Sequence, residues 1–205
     1  RVDRRQRQMC IRDRISTARK ISFNELQSAI ECIKSWGLDL VLGEHLFNSH
    51  NQFSASDDER TKDLQSMLNN PEIKAILCVR GGYGTVRIID NIDFSQFQKN
   101  PKWLAGFSDI TVLHSHIHKL NVATLHSTMP ISFSNNTSES IKSLKDALLG
   151  KHLKIEIEHH PLNRFGEVKG QVVGGNLSIL YSLIGSPSDL NTCLLYTSDA
   201  ADDLL

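Results

Sequence analysis

The chain has 205 residues, of which 40% are hydrophobic and 22% charged, a composition ordinary for a globular protein. No apolar run approaches the roughly 20 residues that cross a bilayer, and the chain opens without a signal-peptide pattern, so we expect a cytoplasmic protein. Its four cysteines have neither metal-binding nor disulfide spacing, which predicts reduced thiols: they are Cys10, Cys32, Cys78 and Cys193.

The formal net charge is zero, but the two ends of the chain differ in charge. Residues 1–14 carry six arginines against two aspartates, and residues 193–205 carry three aspartates and no basic residue. A basic arm can bind nucleic acid or anionic lipid, but this one has no aromatic residues for base stacking and no apolar periodicity. We therefore predict no nucleic-acid or membrane partner, and interpret both segments as tails outside the folded domains.

Two helices with clear signals are predicted in the first third of the chain. Ser22 and Glu25 form a capping box ahead of apolar residues at helical spacing, and Gly37 ends this helix. Residues 38–42 predict a short strand, and residues 57–69 predict a second helix.

From residue 74 onward, short apolar runs alternate with helical patterns. Residues 74–79 and 103–107 are apolar throughout or nearly so, as in strands buried on both faces, and residues 122–125 predict another strand. This alternation predicts an α/β fold with a Rossmann-like or flavodoxin-like parallel sheet over residues 15–150. The helices of this domain are predicted at residues 84–91, 109–120 and 138–149.

A different pattern follows Gly150. Apolar and charged residues alternate over residues 153–157, which predicts a half-exposed strand. A second strand at residues 168–173 and a helix at residues 176–185 come next. We assign residues 151–192 to the start of a second α/β domain.

The first candidate catalytic group lies in WLAGFSDIT, residues 103–111. A buried strand runs into Gly106 and a helix starts after Ser108, so the serine lies on a sharp turn at the carboxyl edge of the sheet. Free backbone N–H groups at the start of that helix can stabilise an oxyanion. This arrangement is typical of a nucleophile elbow, although the closing glycine is absent. The alternative is that Ser108 or Asp109 merely caps the helix.

The segment RGGYG, residues 80–84, directly follows the apolar run at residues 74–79. Ligands bind at this edge of open α/β sheets, and three glycines let backbone N–H groups approach a ligand closely. The segment matches neither the dinucleotide fingerprint nor the phosphate loop, which disfavours a nucleotide-binding domain. A purely structural glycine turn is the alternative.

Four histidines are candidates for metal binding or acid–base chemistry. His114, His116 and His118 fall on one predicted helix, where the first and last share a face, and zinc would need a third ligand from elsewhere. We expect these histidines to form a solvated face and predict no bound metal. His126 follows a strand at the same edge and could act as a base, although a structural role is the simpler interpretation.

Four segments in register resemble the LD-carboxypeptidase family, whose members are also called muramoyltetrapeptide carboxypeptidases. The likeness extends over residues 15–190. The segments are AILCVRGGYGTVRIID (75–90), NPKWLAGFSDIT (100–111), TLHSTM (124–129) and VGGNLSILYSLIG (173–185).

The resemblance implies a cytoplasmic serine peptidase that releases the terminal D-alanine from murein tetrapeptides during cell-wall recycling, without metal or cofactor. Ser108 matches the family's nucleophile, and the backbone N–H groups of Asp109 and Gly82 would form the oxyanion hole. Family members are usually homodimers that use a Ser-His-Glu triad. The residues that would border the substrate are Arg80, Gly81, Tyr83 and His126.

The sequence departs from the family pattern at three points, and two of these departures predict altered stability or activity. TLHSTM keeps the family's histidine but lacks the glycine and proline that usually follow it. The family's opening strand, ahead of Ile15, is replaced by arginine-rich sequence, so we expect exposed strand edges, marginal stability and aggregation. No residue matches the triad's histidine or glutamate, so we expect a truncated chain that is nearly inactive by itself.

Two further functions stay open. An immunity-type relative would cleave peptide–nucleotide antibiotics with the same serine. A non-catalytic module would bind murein peptides at the glycine turn without cleaving them.

Overall fold

The computed structural model describes residues 14–156, 158–164, 166–167 and 169–190. In this part of the chain, one parallel sheet has the strand order β1-β2-β3-β4: Arg14–Ile15, Ala75–Cys78, Trp103–Gly106 and Leu125–His126. The α-helices are α1 (Phe23–Ser35), α2 (Asp57–Asn69), α3 (Ser95–Lys99), α4 (Thr111–His118), α5 (Ser138–Leu148) and α6 (Leu177–Leu183). None of these helices is long and apolar enough to span a membrane. The predicted α/β class with a parallel sheet is confirmed.

Helices α1 and α2 begin at capping boxes. The Ser22 side chain accepts from the Glu25 N–H while Glu25 accepts from the Ser22 N–H, and Ser56 and Glu59 repeat this arrangement at α2. Each box satisfies backbone donors that a helix start leaves unpaired, and is worth about 1 kcal/mol. The predicted starts of both helices are therefore confirmed.

Strand β2 lies between two apolar layers, one on each face of the sheet. Ile76 and Cys78 pack into a cluster that includes residues of α2, α3 and α4. Ala75 and Leu77 point the other way, into a cluster that includes residues of α1 and α5. Because successive side chains of a strand alternate between faces, burial on both faces explains the continuous apolar run of the sequence.

The expectation that the first strand is absent is contradicted for two residues. Arg14 and Ile15 form β1, pair in parallel with Leu77 and Cys78, and the Val79 N–H donates to the Ile15 carbonyl at 2.9 Å. Within the described residues β1 is the edge strand of the sheet. It pairs with the edge of β2 that faces away from β3. Arg14 thus lies in β1, and the rest of the predicted tail, residues 1–13, lies outside the described part of the chain.

Several element predictions on either side of the sheet need correction. Residues 84–91 form two successive 3-10 turns, Thr85–Arg87 and Ile89–Asn91, because their N–H groups bond the carbonyl three residues back. Residues 38–42 join no strand of the sheet, and only Leu42 forms an isolated bridge. The fourth strand, β4, begins at Leu125 instead of residue 122.

The strands predicted after Gly150 are not observed among the described residues. Ile155 is 85% exposed and Val172 is 96% exposed. An alternating pattern yields a strand only where a partner strand and an apolar surface are available, and the described residues provide neither here. Ile157 and Val168, which belong to the two predicted strands, lie outside the described residues.

Candidate functional site

A sharp bend follows β3 and presents Ser108. Phe107 is extended, with φ −147° and ψ −173°, and Ser108 then adopts a left-handed φ of 61°. A 3-10 turn, Ser108–Ile110, leads directly into α4. A left-handed φ on a residue other than glycine costs about 1 kcal/mol or more, so the surrounding contacts must hold it.

Gly106 permits this bend because no side chain fits at its position. A Cβ there would lie 2.8 Å from Ile110 Cγ1 and 3.2 Å from Cys78 Cβ. Its carbonyl accepts from the Ser127 N–H at 3.0 Å. The glycine of the predicted elbow is thus required by close packing of strand and turn.

The RGGYG turn lies against Ser108, as the shared sheet edge predicts. A Cβ on Gly81 would be 3.2 Å from Ser108 Cβ and 3.4 Å from Ser108 Oγ. Gly82 and Gly84 have φ values of 131° and 151°, which side chains disfavour. Tyr83 is 52% exposed at the tip of the turn.

Ser108 itself is half-buried. Within the described ranges, no side chain hydrogen-bonds its hydroxyl, and Gly81 of the glycine turn is its neighbour across the sheet edge. The described part of the chain therefore holds a serine at an elbow, but no general base in contact with it.

Asp109 has a buried carboxylate that the sequence did not identify. Oδ2 accepts from the Thr85 N–H at 2.9 Å and from the Thr85 hydroxyl at 2.7 Å. Burial raises the pKa of Asp109 above its ordinary value, and the hydrogen bonds from Thr85 oppose that rise. Oδ1 is buried and has no partner among the described residues.

Two arginines border the glycine turn. The Arg80 guanidinium donates to the Lys20 carbonyl at 3.1 Å and lies 3.8 Å from the Glu25 carboxylate. Arg19 crosses Gly82, where a Cβ would be 2.6 Å from Arg19 Cγ and 3.2 Å from Arg19 Nε. No described residue accepts a hydrogen bond from the Arg19 guanidinium. Arg19 was missed because it lies 63 positions from Gly82 in the sequence.

The expected solvated histidine face is wrong. His114 is buried, and its Nε2 must donate to the Gly106 carbonyl at 3.0 Å, so its Nδ1 accepts from the Thr124 hydroxyl at 2.7 Å. Burial lowers the pKa of His114 to about 4. His116 is half-buried and stacks on Phe94 with ring centroids 4.8 Å apart. These histidines are structural, and the described residues contain no group of three potential metal ligands.

His126 is exposed at the end of β4, 6.5 Å between ring centroids from Phe107 and 5.9 Å from His114. It lines two clefts, one of ≈ 490 Å³ with Phe107 and one of ≈ 690 Å³ with Gly174. The structure thus brings His126 to the edge that carries the elbow, without contact to the Ser108 hydroxyl.

The segment around residues 173–176 also reaches this edge. A Cβ on Gly175 would be 2.4 Å from Thr111 Cγ2, and the Asn176 N–H donates to Thr111 Oγ1 at 3.0 Å. Thr111 begins α4, three residues after Ser108. All four sequence segments that carry the family resemblance therefore meet around one end of the sheet.

Comparisons with known proteins agree with this geometry. Residues 14–127 match the family model described as the LD-carboxypeptidase N-terminal domain. A probable murein peptide carboxypeptidase of Bacillus subtilis is 36% identical over 187 residues, which cover 87% of this chain and 59% of that protein. The murein tetrapeptide carboxypeptidase of Pseudomonas aeruginosa is 28% identical, over 86% of this chain and 61% of that protein. The chain thus spans about three fifths of these relatives.

Two solved structures show the same fold. A muramoyltetrapeptide carboxypeptidase from Oxalobacter formigenes aligns with a TM-score of 0.74 at 23% identity, covering 88% of this chain and 62% of that one. A microcin self-immunity protein, solved with aspartyl sulfamoyl adenosine, aligns with a TM-score of 0.76 at 20% identity, covering 89% and 65%.

Proposed function

The chain belongs to the LD-carboxypeptidase family, and from this premise we propose that Ser108 is the nucleophile of a serine carboxypeptidase that acts on murein tetrapeptides. The observation that carries the proposal is the bend after β3. There Ser108 has a φ of 61° and lies beside the RGGYG turn, 3.2 Å from the position of a Gly81 side chain. A structural helix cap does not require such a strained serine.

The proposed reaction is acyl transfer in two steps. Ser108 Oγ attacks the carbonyl carbon before the terminal D-alanine, and the hydroxyl proton passes to a general base. The carbon–nitrogen bond then breaks, the base returns the proton to the leaving amine, and D-alanine departs. Water attacks the resulting ester in the same manner and restores the serine.

Backbone N–H groups stabilise the negative oxygen in this proposal. The Asp109 N–H lies at the start of the turn into α4, and the Gly82 N–H lies in the neighbouring glycine turn. Removal of one such donor typically costs about 10²–10³ in rate, so two aligned donors are a large part of catalysis. Both positions are constrained: the buried Asp109 carboxylate is hydrogen-bonded to Thr85, and Gly82 has a φ of 131°.

The substrate's terminal carboxylate requires a cation in a carboxypeptidase. We assign this role to Arg80, with Arg19 beside it, because both guanidinium groups border the glycine turn. Arginine binds carboxylates with two parallel hydrogen bonds, which favours a peptide that ends in a free acid. Gly81, Tyr83 and His126 would border the rest of the peptide.

A general base is the missing component of this mechanism in the described residues. The family resemblance assigns it to a His–Glu pair that no residue of this chain matches. Without a base, no group accepts the serine proton during the attack, which lowers the rate by roughly 10⁴-fold or more. We therefore propose that residues 1–205 alone are nearly inactive. The enzyme in this proposal is the uninterrupted gene product, meaning a chain that spans the full length of the relatives.

Release of D-alanine from murein tetrapeptide tests this proposal directly. We expect the uninterrupted gene product to release it, and Ser108→Ala to lower the rate roughly 10⁴-fold or more. Ser28→Ala, which changes an exposed serine on α1, is the matched control and should keep full activity. Unchanged release by Ser108→Ala would contradict the nucleophile, and rapid release by residues 1–205 would contradict the need for a further base.

One alternative has an observation in its favour, the TM-score of 0.76 with the microcin self-immunity protein. A relative of that kind would cleave an aminoacyl or peptidyl nucleotide with the same serine. Parallel assays of murein tetrapeptide and of a peptidyl sulfamoyl adenosine separate the two. We expect the tetrapeptide to be the better substrate.

The cytoplasmic location and a homodimer complete the proposal, and both rest on the family resemblance alone. Cell fractionation of the uninterrupted gene product tests the first, and sedimentation equilibrium tests the second. A membrane-bound protein would contradict the cytoplasmic location, and a monomer would contradict the homodimer.

A further inference from the structure

A cluster of buried polar side chains lies under the bend and is not used by the proposed chemistry. Asp109, Thr85, Thr17 and Arg60 are each at most 2% exposed. Burial of charged groups is costly unless they are paired or hydrogen-bonded. The proposed mechanism takes only the backbone N–H of Asp109, so the buried carboxylate has a different role.

The Asp109 carboxylate joins the two halves of the site. Thr85 immediately follows Gly84, the last residue of the RGGYG turn, and both its N–H and its hydroxyl lie within 2.9 Å of Asp109 Oδ2. The Thr85 hydroxyl is also 2.8 Å from Thr17 Oγ1. Since a hydroxyl has one proton, Thr85 donates to the carboxylate and accepts from Thr17. One carboxylate oxygen thus links the residue after the nucleophile to the end of the glycine turn.

Arg60 also holds the end of this turn. Its guanidinium reaches from α2 and donates to the Thr17 carbonyl and, at 3.2 Å, to the Gly84 carbonyl. Gly84 has a φ of 151°, and a Cβ there would lie 2.7 Å from Arg60 Nη1. The end of the turn is therefore fixed through its carbonyl by Arg60 and through the next N–H by Asp109.

We propose that the Asp109 carboxylate is a positioning residue, which holds the Gly82 N–H and its own N–H at the spacing that one oxyanion requires. The inference rests on the proposed function, because it concerns the same oxyanion hole. The two donors follow different strands, β2 and β3, so their separation depends on a direct link between the loops. Displacement by about 1 Å can cost roughly 10²-fold in rate.

The first test measures backbone amide exchange by NMR in residues 1–205 and needs no catalysis. The hydrogen-bonded amides at the end of the turn are those of Thr85 and Arg87, which bond the Asp109 carboxylate and the Gly84 carbonyl. In Asp109→Ala we expect exchange of these two amides to accelerate about tenfold or more, with less than about a twofold change at Leu77 and Ala105. In Asp109→Asn the side-chain carbonyl still accepts from Thr85, so exchange should stay within about threefold of the native chain. Equal acceleration in sheet and turn, or none in the turn, would overturn the proposal.

Variants of Thr85 give a matched pair for the hydroxyl. Thr85→Ser keeps both donors to the Asp109 carboxylate, whereas Thr85→Val keeps only the N–H. We expect exchange of the amides of residue 85 and Arg87, at the end of the turn, to be native-like in the first variant and about threefold to tenfold faster in the second. The reverse order would mean that this hydroxyl does not restrain the turn.

The second test uses the uninterrupted gene product and separates this inference from the proposed function. We expect Asp109→Ala to lower kcat about 10²-fold with KM changed less than about threefold, and Asp109→Asn to recover most of kcat. If Ser108→Ala keeps activity, the proposed function fails. The amide exchange of Asp109→Ala then still shows whether the Asp109 carboxylate holds the glycine turn. If Ser108→Ala is inactive and Asp109→Ala has native kcat, the positioning role fails and the nucleophile stands.

Discussion

The sheet and the segment after Gly150 differ in how well their apolar residues are covered. In β2, Ile76 is completely buried between layers of helices. After Gly150, Ile155, Leu162 and Val172 are each at least 84% exposed. Both segments contain strand-forming residues, yet only the first has partner strands on both sides. The comparison shows that β-branched residues form a strand only where partner strands and apolar surfaces are available to bury their side chains.

The largest expected effect is on the free energy of unfolding, which should respond very differently to substitutions in the two regions. Ile76→Ala should lower the free energy of unfolding by about 2–5 kcal/mol, because it removes buried methyl groups and leaves a cavity. Ile155→Ala is the matched control, and should change it by less than about 0.5 kcal/mol. Urea unfolding followed by circular dichroism measures both. Similar losses in the two variants would mean that Ile155 is buried in solution.

A smaller effect concerns acid stability, through the buried His114. Its pKa is about 4 in the folded chain, whereas an unfolded histidine titrates near 6.5. Between these values the unfolded chain binds more protons than the folded one, so stability is full above about pH 6.5 and falls toward pH 4. The loss is at most about 3 kcal/mol.

Urea unfolding at a series of pH values tests this prediction. We expect His114→Gln to flatten the decline over that window. His160→Gln replaces an exposed histidine after Gly150 and controls for the loss of an imidazole. An unchanged slope in His114→Gln would show that other groups cause the acid sensitivity.

Local sequence signals predicted much of the sheet domain. The capping residues Ser22 and Glu25 specify where α1 begins, because their side chains bond backbone groups only three residues away. The apolar run at residues 74–79 likewise predicts β2, since burial on both faces excludes polar side chains. Gly106 and Ser108 were placed on a turn because strand and helix signals adjoin there.

Longer-range contacts could not be predicted in the same way. The left-handed φ of Ser108 and the bond between Asp109 and Thr85 depend on residues that the fold brings together. The sequence therefore indicates Asp109 only through its N–H or as a helix cap, and it contains no local signal for Arg60 or Arg19. The strand expected at residues 38–42 failed for a related reason, since apolar content alone does not supply a pairing partner.

The central claim is that the hydroxyl of Ser108 and two backbone N–H groups surround one substrate carbonyl. A crystal structure of the uninterrupted gene product, treated with a phosphonate analogue of the D-alanine-terminated peptide, tests it most directly. We expect phosphorus bonded to Ser108 Oγ, and one phosphonyl oxygen at about 2.7–3.1 Å from the nitrogens of both Asp109 and Gly82. Phosphorus on another residue, or a phosphonyl oxygen that faces solvent, would contradict the claim.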